Sequence, residues 1–171
     1  MALYYFDTSV LVKYYIFEPG SSWVRELVDA RVPDGNTRAN IIFISEACIT
    51  ESAAAFAILY RMQRISQRTR DGAFRALLRH IDRSLLETVP VVTADFQLAA
   101  HLTQRHPLKA YDAVQLAVAL RHNQALISRG SELIFVSGDN TLINAAGAEG
   151  LSTDNPFNHI APEDISSASR E

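Results

Sequence analysis

The stretch 3-LYYFDTSVLVKYY-15 sets one carboxylate, Asp7, between two apolar runs. Residues 3–6 are aromatic and aliphatic, as in a short buried strand. Thr8 and Ser9 suit the start of a helix, which residues 10–17 continue until Pro19-Gly20 stops it. A strand that passes straight into a helix is the opening of a strand–helix–strand unit. The pattern repeats down the chain.

A second helical pattern starts at Ser21-Ser22, with Trp23, Val24, Leu27 and Val28 on one face. RVPDGNTRAN (31–40) has loop chemistry. IIFI (41–44) is the second strand, and an Ala-rich helix follows from about Glu51. Phe74, Leu77, Leu78 and Ile81 recur at helical spacing. TVPVV (88–92) is a third strand, which Pro90 restricts to a sheet edge or a strand end. Thr93 suits the cap of the next helix, and Pro107 ends it. AYDAVQLAVALRH (110–122) is a helix that is apolar nearly all round. ELIFVSGD (132–139) is a fourth strand, followed by a short helix with a glycine stop.

Strands alternating with helices predict an α/β fold in three layers, a central parallel sheet of about four to five strands with helices on both faces. In such sheets ligands bind beyond the carboxyl ends of the strands. Residues 1–151 are expected to form one domain, and 152–171 a polar, weakly structured C-terminal tail interrupted by Pro156 and Pro162.

The chain has 171 residues, 48% hydrophobic and 20% charged, with a net charge of −3. Those values describe an ordinary globular protein, not one that binds nucleic acid through its overall charge. One cysteine, Cys48, excludes an intrachain disulfide, and a reducing cytoplasm is the expected location. No signal peptide is read at the N-terminus, and no apolar run is long enough to span a bilayer, so no membrane association is expected.

Asp7, Glu51, Asp112 and Asp139 each stand at a strand end or a helix start. Singly, each has an ordinary explanation, because a carboxylate at a helix N-terminus caps free N–H groups and favours the dipole. Together, in apolar surroundings, they would repel unless a cation joined them. Hard oxygen donors without a His or Cys cluster suit Mg²⁺ or Mn²⁺. The five histidines show no zinc spacing. Such an ion can activate a water and neutralise a phosphodiester. Spacing alone leaves their convergence open.

YYFDTSVLVKYYIFEPGS, ISEACITESAAAFA, LKAYDAVQLAVAL and IFVSGDNTLINAAGAEGL resemble, in order, the four signature segments of PIN-domain proteins, with the VapC-like toxin ribonucleases as the nearest subfamily. The resemblance runs from about Tyr4 to Leu151. It implies a PIN-like fold and RNA hydrolysis with Mg²⁺ or Mn²⁺. It assigns Asp7, Glu51, Asp112 and Asp139 as catalytic and metal-binding residues, with Thr8, Ser9 and Ser137 in support. Many relatives have a histidine-containing DALHLA where this chain has DAVQLA, with Gln115. Some carry a further aspartate after the last one, where Asn140-Thr141-Leu142 stand here.

Two other readings fit less well. A phosphoacceptor receiver domain needs a lysine near the last strand, and ELIFVSGD has none. A haloacid-dehalogenase-type phosphatase needs Asp where Ser9 stands. A catalytically silent PIN domain that binds RNA or protein remains the alternative.

Between Arg61 and Arg83 there are seven arginines and only Asp71 and Asp82. Arg64 and Arg68 are one turn apart, as are Arg75 and Arg79. This stripe is expected to bind RNA phosphates or a partner such as a cognate antitoxin protein. The helices from Glu51 to Leu86 are also candidates for a homodimer contact.

Overall fold

Side chains of the first strand, β1 (Ala2–Phe6), alternate between two cores. Tyr5 enters one and Phe6 the other, and both are fully buried. That period of two explains the unbroken apolar run, because a central parallel strand is covered on both faces.

The computed structural model describes residues 1–33, 35 and 37–167, the last two of these by backbone alone. After β1 come α1 (Thr8–Tyr15), α2 (Ser21–Asp29), β2 (Asn40–Ser45), α3 (Ala47–Arg61), α4 (Gln67–Asp82) and β3 (Glu87–Val89). Then follow α5 (Thr93–Arg105), α6 (Ala110–Ile127), β4 (Ile134–Val136), α7 (Asn140–Ala148), β5 (Ser152–Asp154), a 3-10 helix (Pro156–His159) and α8 (Pro162–Ser167).

The strands form a five-stranded sheet in the order β3-β2-β1-β4-β5, and every pairing is parallel. The α/β three-layer architecture is therefore as expected. One core packs α5, α6 and α7 against Tyr5 and Phe135. The other packs α1, α2 and α4 against Phe6, Ile42, Ile44 and Val136. Residues 113–119 of α6 are all buried, which accounts for a helix apolar on every side.

The chain builds outward from β1 in one direction to β2 and β3, then returns to add β4 and β5 on the other side. The sheet thus reverses its order between β1 and β4. Such a switch point opens a crevice at the carboxyl ends of the two strands. Asp7 directly follows β1, and its N–H donates to the Val136 carbonyl of β4 at 3.1 Å. Asp139 lies three residues past the end of β4.

Some local expectations are corrected. Asp7 itself caps α1, accepting from Val10 N–H at 2.9 Å, so Thr8 and Ser9 are freed for other bonds. Thr93 is the first residue of α5 and not its cap; Asp95 accepts from Val92 N–H instead. Helix α3 starts at Ala47, so Glu51 lies in its second turn, away from the N-terminal amides.

Residues 152–167 are not weakly structured. β5 extends the sheet beside β4, pairing Ser152–Asp154 with Ile134–Val136. Asp164 is fully buried and accepts from Gly20 N–H, Ser22 N–H and the Ser22 hydroxyl, at 3.0, 3.1 and 2.7 Å. It therefore caps α2, whose own N-cap, Gly20, has no side chain. Gly20 has φ +88°, and a Cβ there would stand 2.8 Å from the Pro156 carbonyl oxygen. Glycine alone meets both demands. Residues 168–171 of the expected tail lie outside the described residues.

Candidate active site

Asp7 reaches the crevice because strand β1 ends there and α1 turns away. Its carboxylate is 5% exposed. Oδ1 accepts from the Ser9 hydroxyl at 2.7 Å and from Val10 N–H. Oδ2 accepts from the Ser137 hydroxyl at 2.7 Å. Burial pushes the carboxyl up to about 6; the bonds from Ser137, Val10 and Ser9 oppose this, and the negative charge of Asp112 adds to it. Desolvation outweighs three hydrogen bonds because the charged form loses so much hydration.

Glu51 comes from the middle of α3. Its Oε2 accepts from the Thr8 hydroxyl at 2.8 Å and from Gln115 Nε2 at 2.6 Å. Its proton affinity is raised by burial, lowered by those two bonds, and raised again by Asp112. Asp112, in the first turn of α6, is raised first by burial and then by the charge of Asp139, while Lys109 acts against it. Asp139 caps α7, with Oδ1 accepting from Thr141 N–H at 2.7 Å and Leu142 N–H at 3.3 Å.

The charge of Asp112 thus acts on Asp7 and Glu51, and that of Asp139 acts on Asp112. The supporting hydroxyls are joined as well. Ser137 Oγ accepts from Asp139 N–H at 3.0 Å, and Ser9 Oγ from Gly138 N–H at 2.9 Å. Ser9 and Ser137 bind Asp7, whereas Thr8 binds Glu51.

Gln115 is a central part of this network. It is 2% exposed, and its amide group also donates to Thr8 Oγ1 at 2.7 Å, while its Oε1 accepts from the Cys48 thiol at 3.0 Å. The sequence marks Gln115 only as a departure from DALHLA. Its spacing of one helical turn from Asp112 was the signal that it borders the acids. Gln115→Leu leaves Thr8, Glu51 and Cys48 without this partner. It is expected to cost about 1–3 kcal/mol, measured by urea unfolding.

The acids and hydroxyls of the site offer only oxygen donors, and among the described residues neither Asp7 nor Glu51 forms an ion pair. Lys13 is turned to Glu18 instead, at 2.7 Å. Both features fit a hard divalent cation. Among the described residues, no three His, Cys, Asp or Glu side chains form a group that could hold a metal ion.

Arg64, Arg68, Arg75 and Arg79 are exposed around the α3–α4 turn and along α4. None forms an ion pair among the described residues. Arg64 lines a hollow of about 630 Å³ with Arg25, Ser66 and Thr69. This hollow shares Glu18 and Leu59 with a cavity of about 730 Å³ that reaches Thr8, Ser9 and Asp139. Arg68, Arg75 and Arg79 line neither. Arg121 is engaged by Asp95 at 2.7 Å. Among the described residues, no helix is long and apolar enough to cross a membrane.

A family model described as PIN domain matches residues 4–138. No curated protein matches the sequence. Among solved structures, the chain is similar to one in the structure of FitAB bound to an IR36 DNA fragment, with a TM-score of 0.58 and 16% identity over 92% of this chain and 96% of that one. It is also similar to PAE2754 from Pyrobaculum aerophilum, with a TM-score of 0.54 and 16% identity over 99% and 91% of the two chains. At this identity the likeness is one of fold.

Proposed function

Since this chain belongs to the PIN-domain family, we propose that it is a Mg²⁺- or Mn²⁺-dependent endoribonuclease similar to the VapC-like toxins. What supports this reading is the charge of Asp112 acting on Asp7 and Glu51, and that of Asp139 acting on Asp112, beside the switch point of the sheet. Asp7 and Asp139 also cap α1 and α7, and acids that raise one another's proton affinity gain from a shared cation.

Asp7, Asp112 and Asp139 would hold the ion, directly or through its waters, and Glu51 completes the site. When bound, the ion supplies a more acidic water and a positive charge beside the phosphate. Ser9, Ser137 and Val10 N–H fix the Asp7 carboxylate. Thr8 and Gln115 pin one oxygen of Glu51, leaving Oε1 to take the proton of the attacking water. The water oxygen bonds to phosphorus, the P–O3′ bond breaks, the leaving O3′ takes up a proton equivalent to the one passed to Glu51, and the products carry 5′-phosphate and 3′-hydroxyl ends, as the family resemblance implies. Arg64 and Arg25 suit the phosphates further along the groove.

Residues 1–151 are proposed as the nuclease unit, completed by β5 and the elements after it. A cognate antitoxin protein is the partner implied by the resemblance, and the adjacent reading frame tests it. The exposed Met62 and Leu78 support a homodimer through the α3–α4 face. The buried, reduced Cys48 suits the cytoplasm. Labelled single-stranded RNA is expected to be cut with Mn²⁺ present and spared after chelation. Cleavage that survives chelation contradicts the proposal.

A further inference from the structure

The cavity beside the acids has one wall the reaction does not use. Its residues include Val12, Ala55, Ile58 and Leu59, and across from them Phe157. Phe157 belongs to the 3-10 helix after β5, in the segment that sequence patterning left without a role. Phe157 is 47% exposed.

The ring is held in place from several directions. Lys13 Nζ lies 4.3 Å from its centroid. A Cβ at Gly138 would stand 3.3 Å from Phe157 Cε2 and 3.1 Å from Ser9 Oγ, so the ring packs where the residue before Asp139 has no side chain. Asn155 Oδ1 accepts from Phe157 N–H at 2.9 Å, and Asn155 Nδ2 donates to Asn140 Oδ1 at 2.9 Å. Asn140 is the residue after Asp139. Trp23 stacks on His159 at 4.2 Å and 7°, fixing the other end of the 3-10 helix. An exposed aromatic face is thus fastened to both neighbours of a proposed metal-binding residue.

We propose that Phe157 is the stacking platform for a nucleobase of single-stranded RNA, seated in the cavity beside the acids, with Arg64 and Arg25 receiving the backbone beyond it. Charge identifies the occupant. The cavity at Asp139 is largely apolar with an aromatic wall, and the adjoining hollow carries the exposed Arg64 and the half-buried Arg25. A single strand presents flat bases and regularly spaced phosphates in the same order. Duplex RNA hides its bases from such a ring. Stacking on one aromatic side chain is tolerant of sequence, so this subsite demands an unpaired base without selecting which one. The inference rests on the nuclease reading only for the ligand being RNA.

The test separates the two. Binding of a fluorescein-labelled single-stranded RNA is followed by anisotropy in the Asp7→Asn background, where no cutting interferes. Phe157, Phe157→Leu and Phe157→Trp proteins are compared, each with the RNA and with an abasic ribose-phosphate oligomer of equal length. Phe157→Leu is expected to weaken RNA binding roughly tenfold or more, with Phe157→Trp within about twofold of the parent. The abasic oligomer is expected to bind all three alike. If Phe157→Leu fails to fold, the parent and the Trp variant still decide, since both must prefer RNA to the abasic oligomer. Equal binding of RNA by the Leu variant and the parent overturns the inference, as does a parent without preference for bases. Cleavage by wild type bears only on the nuclease reading, so either idea can fail alone.

Discussion

Asp7→Asn is expected to abolish RNA cleavage while the metal-free protein becomes more stable at pH 7. Both effects come from one cause. Asp7 is buried with its carboxyl pushed up to about 6 from the usual 3.8, so the folded protein holds its ionised form against desolvation and against Asp112. A folded value above the unfolded one means that the group favours folding fully below about pH 4 and that this contribution is lost as pH rises through about 6. At pH 7 the ionised Asp7 is a net cost. At about 1.4 kcal/mol for each pH unit between the two states, removing the charge relieves at most about 3 kcal/mol. The amide nitrogen accepts no hydrogen bond, so with Oδ1 kept for Ser9 and Val10 the bond from Ser137 must rearrange, offsetting about 1 kcal/mol. A net gain of about 1–2 kcal/mol is expected, with the pH dependence between 4 and 6 flattened. Urea unfolding of chelated protein at several pH values checks the stability, and the labelled-RNA assay checks the activity. An Asp7→Asn protein that still cuts at the wild-type rate contradicts the mechanism.

Phe135→Ala is the largest expected loss of stability. Phe135 is fully buried on β4 and stacks on Tyr5 of β1, with ring centroids 5.6 Å apart and planes at 15°. The two residues are also paired in the ladder. Emptying that site removes contacts to both the sheet and the helices α5 to α7. Cavities left by Phe→Ala cost about 3–5 kcal/mol, a large part of a typical domain's stability. The loss falls on the strand pair that positions Asp7 and Asp139. Thermal unfolding is expected to show a lower midpoint, and activity at low temperature is expected to fall only with the folded fraction.

The strand–helix alternation and the acids at element ends were legible because both are local signals. Burial on two faces writes an apolar run, and a lone Asp after it stands out. Pro90 correctly placed β3 at the sheet edge, since a residue without an N–H cannot serve a central ladder. What was not legible depends on distant partners. Nothing near Asp164 in sequence shows that it caps a helix more than 140 residues away. Polar composition made the segment after Leu151 look loose, yet three short elements there are tied down by Gly20, Ser22, Trp23 and Asn140. Glu51 resembled a helix-start acid because the true start, at Ala47, has no capping side chain to mark it. Gln115 was visible as an oddity, but its three partners come from α1 and α3.

The site itself was half legible. Four acids could be named from their places in the chain, but their shared field follows from the strand order, with β4 returning beside β1. The four arginines read as an RNA- or partner-binding stripe are all exposed, and of them only Arg64 lies on the hollow that adjoins the cavity at Asp139.

Calorimetric titration of Mn²⁺ into the wild-type protein and into Asp112→Asn tests the central claim most directly. Asp112 acts on Asp7 and Glu51 and is itself raised by Asp139, so its loss should weaken the ion most without disturbing the buried bonds of Asp7. The wild type is expected to bind Mn²⁺, and Asp112→Asn at least about tenfold more weakly. Equal Mn²⁺ binding by the two proteins, or none by the wild type, contradicts an acid cluster built for a divalent cation.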